Sequence, residues 1–230
     1  MNFANLIPRS TSVTLKDSRH EYGDVYTYIF ESKNTFSFKA GQHVHMALAG
    51  LPIGKEAVRE LSIGSSPSDS ELWFTVHVRP HSRFKMKLAS LKVGECATLF
   101  KVGGTFVLPD TKNIPLIFIA GGIGITPIRA LLREIAFRHE EDRTVVLVHV
   151  STNDFLFKNE LEKMQTITQY RIGRPDINAT LMPIIQTYPD GLYYLSGTPS
   201  FVQHLSEELG KHGITNEQIQ RDTFKGYENE

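Results

Sequence analysis

Two hydrophobic rhythms divide the chain. Up to about residue 108 the apolar residues come in short alternating or β-branched runs. These are Val13 and Leu15 between polar neighbours, then Val25–Phe30, His43–Leu48, Leu72–Val78 and Ala97–Phe100. Gly, Pro, Asn, Asp or Ser separates most of them, the punctuation of strands joined by turns. About six short strands of this kind predict a closed antiparallel barrel. One segment departs from the pattern: Phe84, Leu88 and Leu91 recur at helical spacing and predict a helix over 83–91.

From Ile114 the rhythm becomes strand, helix, strand, helix. Ile114–Ala120 and Thr144–Val150 are apolar runs, as parallel strands buried on both faces should be. Ile128, Leu131, Leu132, Ile135 and Ala136 draw one apolar helix face, with Arg129, Arg133 and Arg138 elsewhere around it. Phe157, Leu161 and Met164 mark a second helix, Tyr193–Leu195 a further strand, and Phe201, Leu205 and Leu209 the helix after it. Alternating βα units imply a parallel sheet with right-handed crossovers. The expected fold is therefore a two-domain one. An antiparallel β-barrel spans 1–110 and an α/β parallel-sheet domain spans 111–230, with Pro109–Asn113 as the linker.

Composition narrows the function classes. Lys+Arg and Asp+Glu number 25 each in 230 residues, a formal net charge of zero that argues against nucleic-acid binding by bulk electrostatics. A single cysteine, Cys96, excludes an intramolecular disulfide, a multi-cysteine zinc site and a four-cysteine iron–sulfur cluster, and fits a reducing compartment. No signal-peptide pattern opens the chain and no apolar run is long enough to span a bilayer, so the expectation is a cytoplasmic protein without a membrane partner. His43 and His45 share a strand face, but no acidic or cysteine partner stands at ligand spacing, and no metal site is expected.

The candidate chemistry begins where strand Ile114–Ala120 runs into Gly121-Gly122-Ile-Gly124-Ile-Thr126-Pro127. Glycines let a backbone turn tightly and admit a phosphate that would otherwise meet a Cβ. Thr126 reads as the N-cap and Pro127 as the first helical residue, so the helix N-terminus faces an anion above the strand end. A structural glycine turn with a capped helix is the alternative. The device recurs at Ser196-Gly197-Thr198-Pro199, with Thr198 as cap. Two such strand ends on one sheet edge point to a nucleotide, since open α/β sheets bind ligands there.

With these residues in place the chain resembles the ferredoxin–NADP reductase superfamily, in which a flavin-binding barrel is paired with an NAD(P)-binding α/β domain. Carriers of the resemblance occur in the family's order: Gly41-Gln-His43, Arg59-Glu-Leu-Ser62 in place of an Arg-x-Tyr-Ser motif, Phe84-Lys-x-x-Leu88, Gly104-Thr-Phe106, Gly121–Pro127, Ser196-Gly-Thr-Pro199, and the tail Asp222–Tyr227. The resemblance implies FAD held by Arg59, Leu61, Ser62, Ile63, His77, Val78, Phe84, Lys85, Phe224 and Tyr227. It implies NAD(P)H across Gly121–Pro127 and Ser196–Pro199, with hydride passing to flavin N5 beside Ser62 and Ser196 near the nicotinamide. It also implies electrons handed to a separate acceptor, a ferredoxin, a flavodoxin or another molecule. A monomer is expected.

Two departures stand out. Leu61 replaces the aromatic expected on the flavin ring and offers no stacking, and Ser196 replaces a cysteine. Taken singly, Arg59 also fits a surface ion pair, Lys85 a solvated lysine, and the tail aromatics core anchors. Flavin reductase activity on a diffusing flavin, or a nucleotide-binding sensor with weak turnover, are the rival functions. For the nucleotide, Ser151, Thr152 and Asn153 follow the second parallel strand, and Arg171 and Arg174 read as a turn after the next helix. The absence of an acid ending that strand, with guanidiniums available for a 2′-phosphate, tilts the expectation to NADPH over NADH. Asp154 stands near the place of such an acid, but a helix N-cap explains it equally well.

Overall fold

Strand alternation builds the N-terminal half. The computed structural model describes residues 9–224 except 53, 55, 141, 165–166 and 174–176, and the chain divides into two compact units, Met1–Val107 and Leu108–Glu230. In the first, β1 (Thr11–Tyr22), β2 (Val25–Ser32), β3 (His43–Ala47), β4 (Val58–Ser62), β5 (Leu72–His77) and β6 (Cys96–Gly103) form a sheet in the order β4-β3-β6-β1-β2-β5. Every neighbouring pair is antiparallel. The sheet curls until its outer strands meet, for Gly64, just past β4, donates its N–H to the Trp73 carbonyl of β5 at 2.8 Å. Alternate residues Val13, Leu15, Phe30, Val44, Met46, Phe74 and Leu99 point into one core. Helix α1 (Arg83–Ala89) lays Phe84 and Leu88 into that core. Full burial of two such side chains is worth about 1.5–3 kcal/mol each, which anchors a helix too short to persist alone. The Ser82 hydroxyl caps it by accepting the Lys85 N–H.

The second unit is wound from its middle. Strand β7 (Leu116–Gly121) leads through a 3₁₀ turn (Gly122–Gly124) into α2 (Ile125–Phe137). Then come β8 (Val145–Val150), α3 (Lys158–Leu161), β9 (Ile167–Ile172), α4 (Ile177–Thr187), β10 (Leu192–Gly197), α5 (Pro199–Lys211) and β11 (Ile219–Thr223). The sheet order is β11-β10-β7-β8-β9, all parallel. Strand order therefore reverses between β7 and β10, and the loops leaving these two strands flank the switch point. Strands β7 and β8 are buried almost throughout, as their apolar runs require. Among the described residues no helix is long and apolar enough to cross a membrane.

Candidate functional site

The switch-point crevice is built by close backbone approach. A Cβ on Gly124 would stand 2.3 Å from the Ser196 carbonyl oxygen, so α2 and β10 can pack this tightly only around glycine. A Cβ on Gly121 would stand 2.9 Å from the Phe201 ring of α5, as would one on Gly197. Gly122 is left-handed, with φ of 54°, and a Cβ there would meet nothing within 4 Å. The loop is thus closed below and open above, the shape a phosphate cradle needs. Ser196 is fully buried at the end of β10, and its hydroxyl has no hydrogen-bond partner. Beside it, Thr198 caps α5 by accepting the Phe201 N–H at 3.3 Å, with Pro199 in the first turn. Phe224 donates its N–H to the Gly197 carbonyl at 2.9 Å, which brings the aromatic tail to this strand end. Tyr227 lies outside the described residues.

Two expected contacts here are corrected. Thr126 is not the cap of α2: the 3₁₀ turn runs directly into the helix, Gly124 at the cap is already helical, and the buried Thr126 hydroxyl donates back to the Ile123 carbonyl at 2.7 Å. Pro127 is likewise buried inside the first turn. Gly124 serves packing instead of ligand contact, so the free surface of the loop is Gly121–Ile123.

Beyond β8, the Ser151 hydroxyl donates to the Asp154 carbonyl and accepts the Asn153 N–H, folding a tight loop. Asp154 caps no helix; α3 starts after a left-handed Phe157. Arg171 sits in β9 and not in a turn, paired with Glu162 at 2.6 Å. The strand was missed because an edge position leaves half its residues exposed. Arg174 lies outside the described residues. Arg129, read as lying off the apolar face, is buried. Its guanidinium makes a bidentate pair with Glu160 of α3 at 2.7 and 2.9 Å.

Sequence reasoning also missed His149. It is buried in β8, and its Nε2 lies 3.0 Å from the Gly122 carbonyl oxygen. Burial pushes its pKa down to about 4, against the hydrogen bond to Gly122 and with help from Arg171. The ring is neutral at pH 7, and a carbonyl only accepts, so Nε2 carries the proton. The available signal was a lone polar residue within Val145-Val-Leu-Val-His-Val150.

In the N-terminal unit, cross-strand pairing sets which residues share a face. Arg59 and Leu61 oppose Met46 and Val44, which belong to the core, whereas Ser62 opposes His43 on the other face. Arg59 lies over the Phe84 ring, 5.9 Å from its centroid, and bonds the Val58 carbonyl. Lys85 is half-buried beside it. Burial, then the Arg79 and Arg59 guanidiniums, hold its pKa below the usual lysine range, with Asp24 acting against them. Arg59, Phe84 and Lys85 are thus brought together as expected, and Arg79 joins them unforeseen. Two guanidiniums beside a half-buried ammonium concentrate positive charge that an anion would offset. His77 bonds Asp24 at 2.8 Å and Val78 donates its N–H to the Asp24 carbonyl, so both border this cluster. The Ile63 side chain is fully buried in the barrel core, and its N–H donates to the Gln42 carbonyl.

The chain matches the family model of the oxidoreductase NAD-binding domain over residues 118–174, from β7 to just past β9. It is 27% identical to the toluate 1,2-dioxygenase electron transfer component of Pseudomonas putida over 201 residues, 80% of this chain and 57% of the relative. It is 27% identical to NADH-cytochrome b5 reductase 1 of Lodderomyces elongisporus over 181 residues, 75% of this chain and 56% of the relative. The chain spans about half the length of the curated relatives it matches. Among solved structures, ferredoxin-NADP+ reductase from Plasmodium falciparum superposes with a TM-score of 0.79 at 18% identity, covering 94% of this chain and 96% of that one. With an antiparallel curled sheet followed by a parallel sheet of this order, the chain shares the fold of ferredoxin-NADP+ reductase, and its glycine loop lies within the match to the oxidoreductase NAD-binding domain.

Proposed function

We propose that the chain is an FAD-dependent NAD(P)H oxidoreductase that delivers electrons to a separate acceptor. Residues 1–110 would hold the flavin and 111–230 the nicotinamide nucleotide. The observation that carries the reading is the switch-point crevice, where an open, left-handed Gly122 lies on a sheet edge with a fully buried, unpartnered Ser196 hydroxyl. A buried hydroxyl without a partner costs about 1–3 kcal/mol, a cost that a ligand amide or carboxamide would remove. The cation cluster of Arg59, Arg79 and Lys85 fits the flavin diphosphate in the same way. Similarity to an electron transfer component and to a cytochrome b5 reductase supports transfer to a partner.

Bound FAD would supply a ring able to take two electrons from NAD(P)H and release them to the acceptor. The chain's residues bind and orient. Arg59, Arg79 and Lys85 would neutralise the diphosphate, and Leu61, on the same strand face as Arg59, would cover the ring without stacking. Ser62 would offer its hydroxyl at N5. Gly121–Ile123 would take the dinucleotide phosphates and Ser196 the carboxamide end. The Ser151 loop and Arg171 would meet the adenosine ribose and, with NADPH, its 2′-phosphate.

Anaerobic titration tests this. The purified protein should be yellow, release FAD on denaturation, and bleach on addition of NADPH or NADH. A colourless protein that oxidises NAD(P)H only with added free flavin would make it a flavin reductase. Absence of any flavin or nucleotide binding would sink the proposal.

A further inference from the structure

We propose that His149 is a positioning residue for the dinucleotide: by holding the Gly122 carbonyl inward, it turns the next peptide N–H, that of Ile123, outward to the diphosphate. The inference rests on the nucleotide reading above and names a residue that touches no ligand.

The geometry follows from one hydrogen bond and one plane. His149 Nε2 donates to the Gly122 oxygen at 3.0 Å from a position that is 1% exposed. The same oxygen accepts the Ile125 N–H that closes the 3₁₀ turn, so its direction is set twice. In a trans peptide the C=O and N–H point oppositely, and no cis bond occurs among the described residues. An inward Gly122 carbonyl therefore forces the Ile123 N–H outward. That group lies in the first turn, where an N–H has no acceptor within the helix. Gly122 itself leaves room beside this peptide, since a Cβ there would meet nothing within 4 Å.

Nothing in the packing of β8 demands an imidazole. Every other residue from Val145 to Val150 is aliphatic and buried, and a polar ring there is costly unless it is bonded. The ring also meets Phe155 edge-on, with centroids 5.2 Å apart. Phe155 belongs to the loop that follows β8, and His149 pairs across the sheet with Arg171. One side chain thereby ties the phosphate loop to the segment proposed for the adenosine end. A glycine loop with a left-handed residue has much freedom, and His149 removes the flip of the Gly122–Ile123 peptide.

Two variants and one measurement on the unaltered protein test it. His149→Leu removes the donor, and His149→Gln keeps an N–H at similar reach. With Leu, KM for NAD(P)H should rise roughly tenfold, the scale of one lost hydrogen bond, while kcat at saturation and FAD content stay near wild type. Gln should recover most of the loss. If Leu binds nucleotide as wild type does, or Gln is no better than Leu, the proposal fails. Should Leu not fold, NMR of the wild-type holoprotein decides. ADP should shift the Ile123 amide and the His149 Nε2–H together, and an unmoved pair with ADP bound overturns the inference. If neither ADP nor NAD(P)H binds the wild type, the nucleotide reading itself falls with it.

Discussion

Replacing Lys85 by methionine tests the flavin half of the site, because its two consequences run in opposite directions. The ammonium is half-buried, and burial and two guanidiniums disfavour its charge. Without an anion that arrangement costs stability; with a diphosphate it becomes binding energy. A charge-assisted contact contributes about 1.5–3 kcal/mol, so Lys85→Met should weaken FAD binding roughly 10- to 150-fold. Methionine keeps an apolar stem of similar length, and the flavin-stripped protein should gain up to about 1 kcal/mol, discounted for partial exposure. For a chain of this length that is a rise of roughly 2–4 °C in Tm. The lowered pKa adds a pH signature. Between the folded and unfolded values the unfolded chain binds more protons, so stripped wild type should gain stability as pH climbs toward the ordinary lysine range, and the variant should not. Isothermal titration with FAD and thermal melting of stripped protein read both effects. Unchanged FAD affinity, or a stripped variant that melts below wild type, would refute the reasoning.

Ser196→Ala should raise Tm by removing a buried unpartnered hydroxyl, worth on the order of 1 kcal/mol, while NAD(P)H-dependent turnover falls; a loss of both would make the hydroxyl structural. Arg171→Ala should erode any NADPH preference by roughly 10- to 150-fold in kcat/KM, whereas Glu162→Gln, which frees Arg171 from an exposed pair worth under about 1 kcal/mol, should raise it. Steady-state kinetics with both nucleotides checks this pair, and opposite signs would reverse the assignment. His149, with its pKa lowered to about 4, stays neutral in the fold where the unfolded chain protonates. Stability should therefore fall as pH drops from about 6.5 to about 4, by up to roughly 3 kcal/mol. His149→Gln should flatten that part of the denaturation profile.

What was legible in the sequence is what one strand or helix decides by itself. Continuous apolar runs marked β7 and β8, and Ser-Gly-Thr-Pro marked the cap of α5, since both depend on local backbone needs. Edge strands β9 and β11 were not read, because Ile167-Thr-Gln-Tyr-Arg-Ile172 and Ile219-Gln-Arg-Asp-Thr223 carry few apolar residues. Helix α4 carries Pro183 in its interior and escaped for that reason. The site divides the same way. The glycine loop was found by its spacing, but the role of each glycine was not. Whether Gly124 faces a phosphate or the Ser196 carbonyl is set by a strand seventy-odd residues away. Arg79 joined Lys85 through the turn between β5 and α1, a proximity no periodicity encodes.

The departures from economical folding are not scattered. A left-handed Gly122, an imidazole in an aliphatic strand and an unpartnered hydroxyl lie at one end of β7, β8 and β10, and the strained ammonium lies on α1 beside Arg59. Each costs stability where an aliphatic or solvated residue would not. A core selected for packing alone would replace them: alanine at 196, valine at 149, methionine at 85. They lie at the strand ends, where ligands of parallel sheets bind, and beside the cationic cluster, and the cost of the hydroxyl falls when an amide arrives and that of the ammonium when an anion does. The same features therefore predict how the protein should respond to ligand. Nucleotide and flavin should each raise Tm by the amount their measured Kd dictates, and Ser196→Ala should shrink the rise given by nucleotide and Lys85→Met the rise given by flavin, because in each case binding no longer relieves a cost of the empty fold.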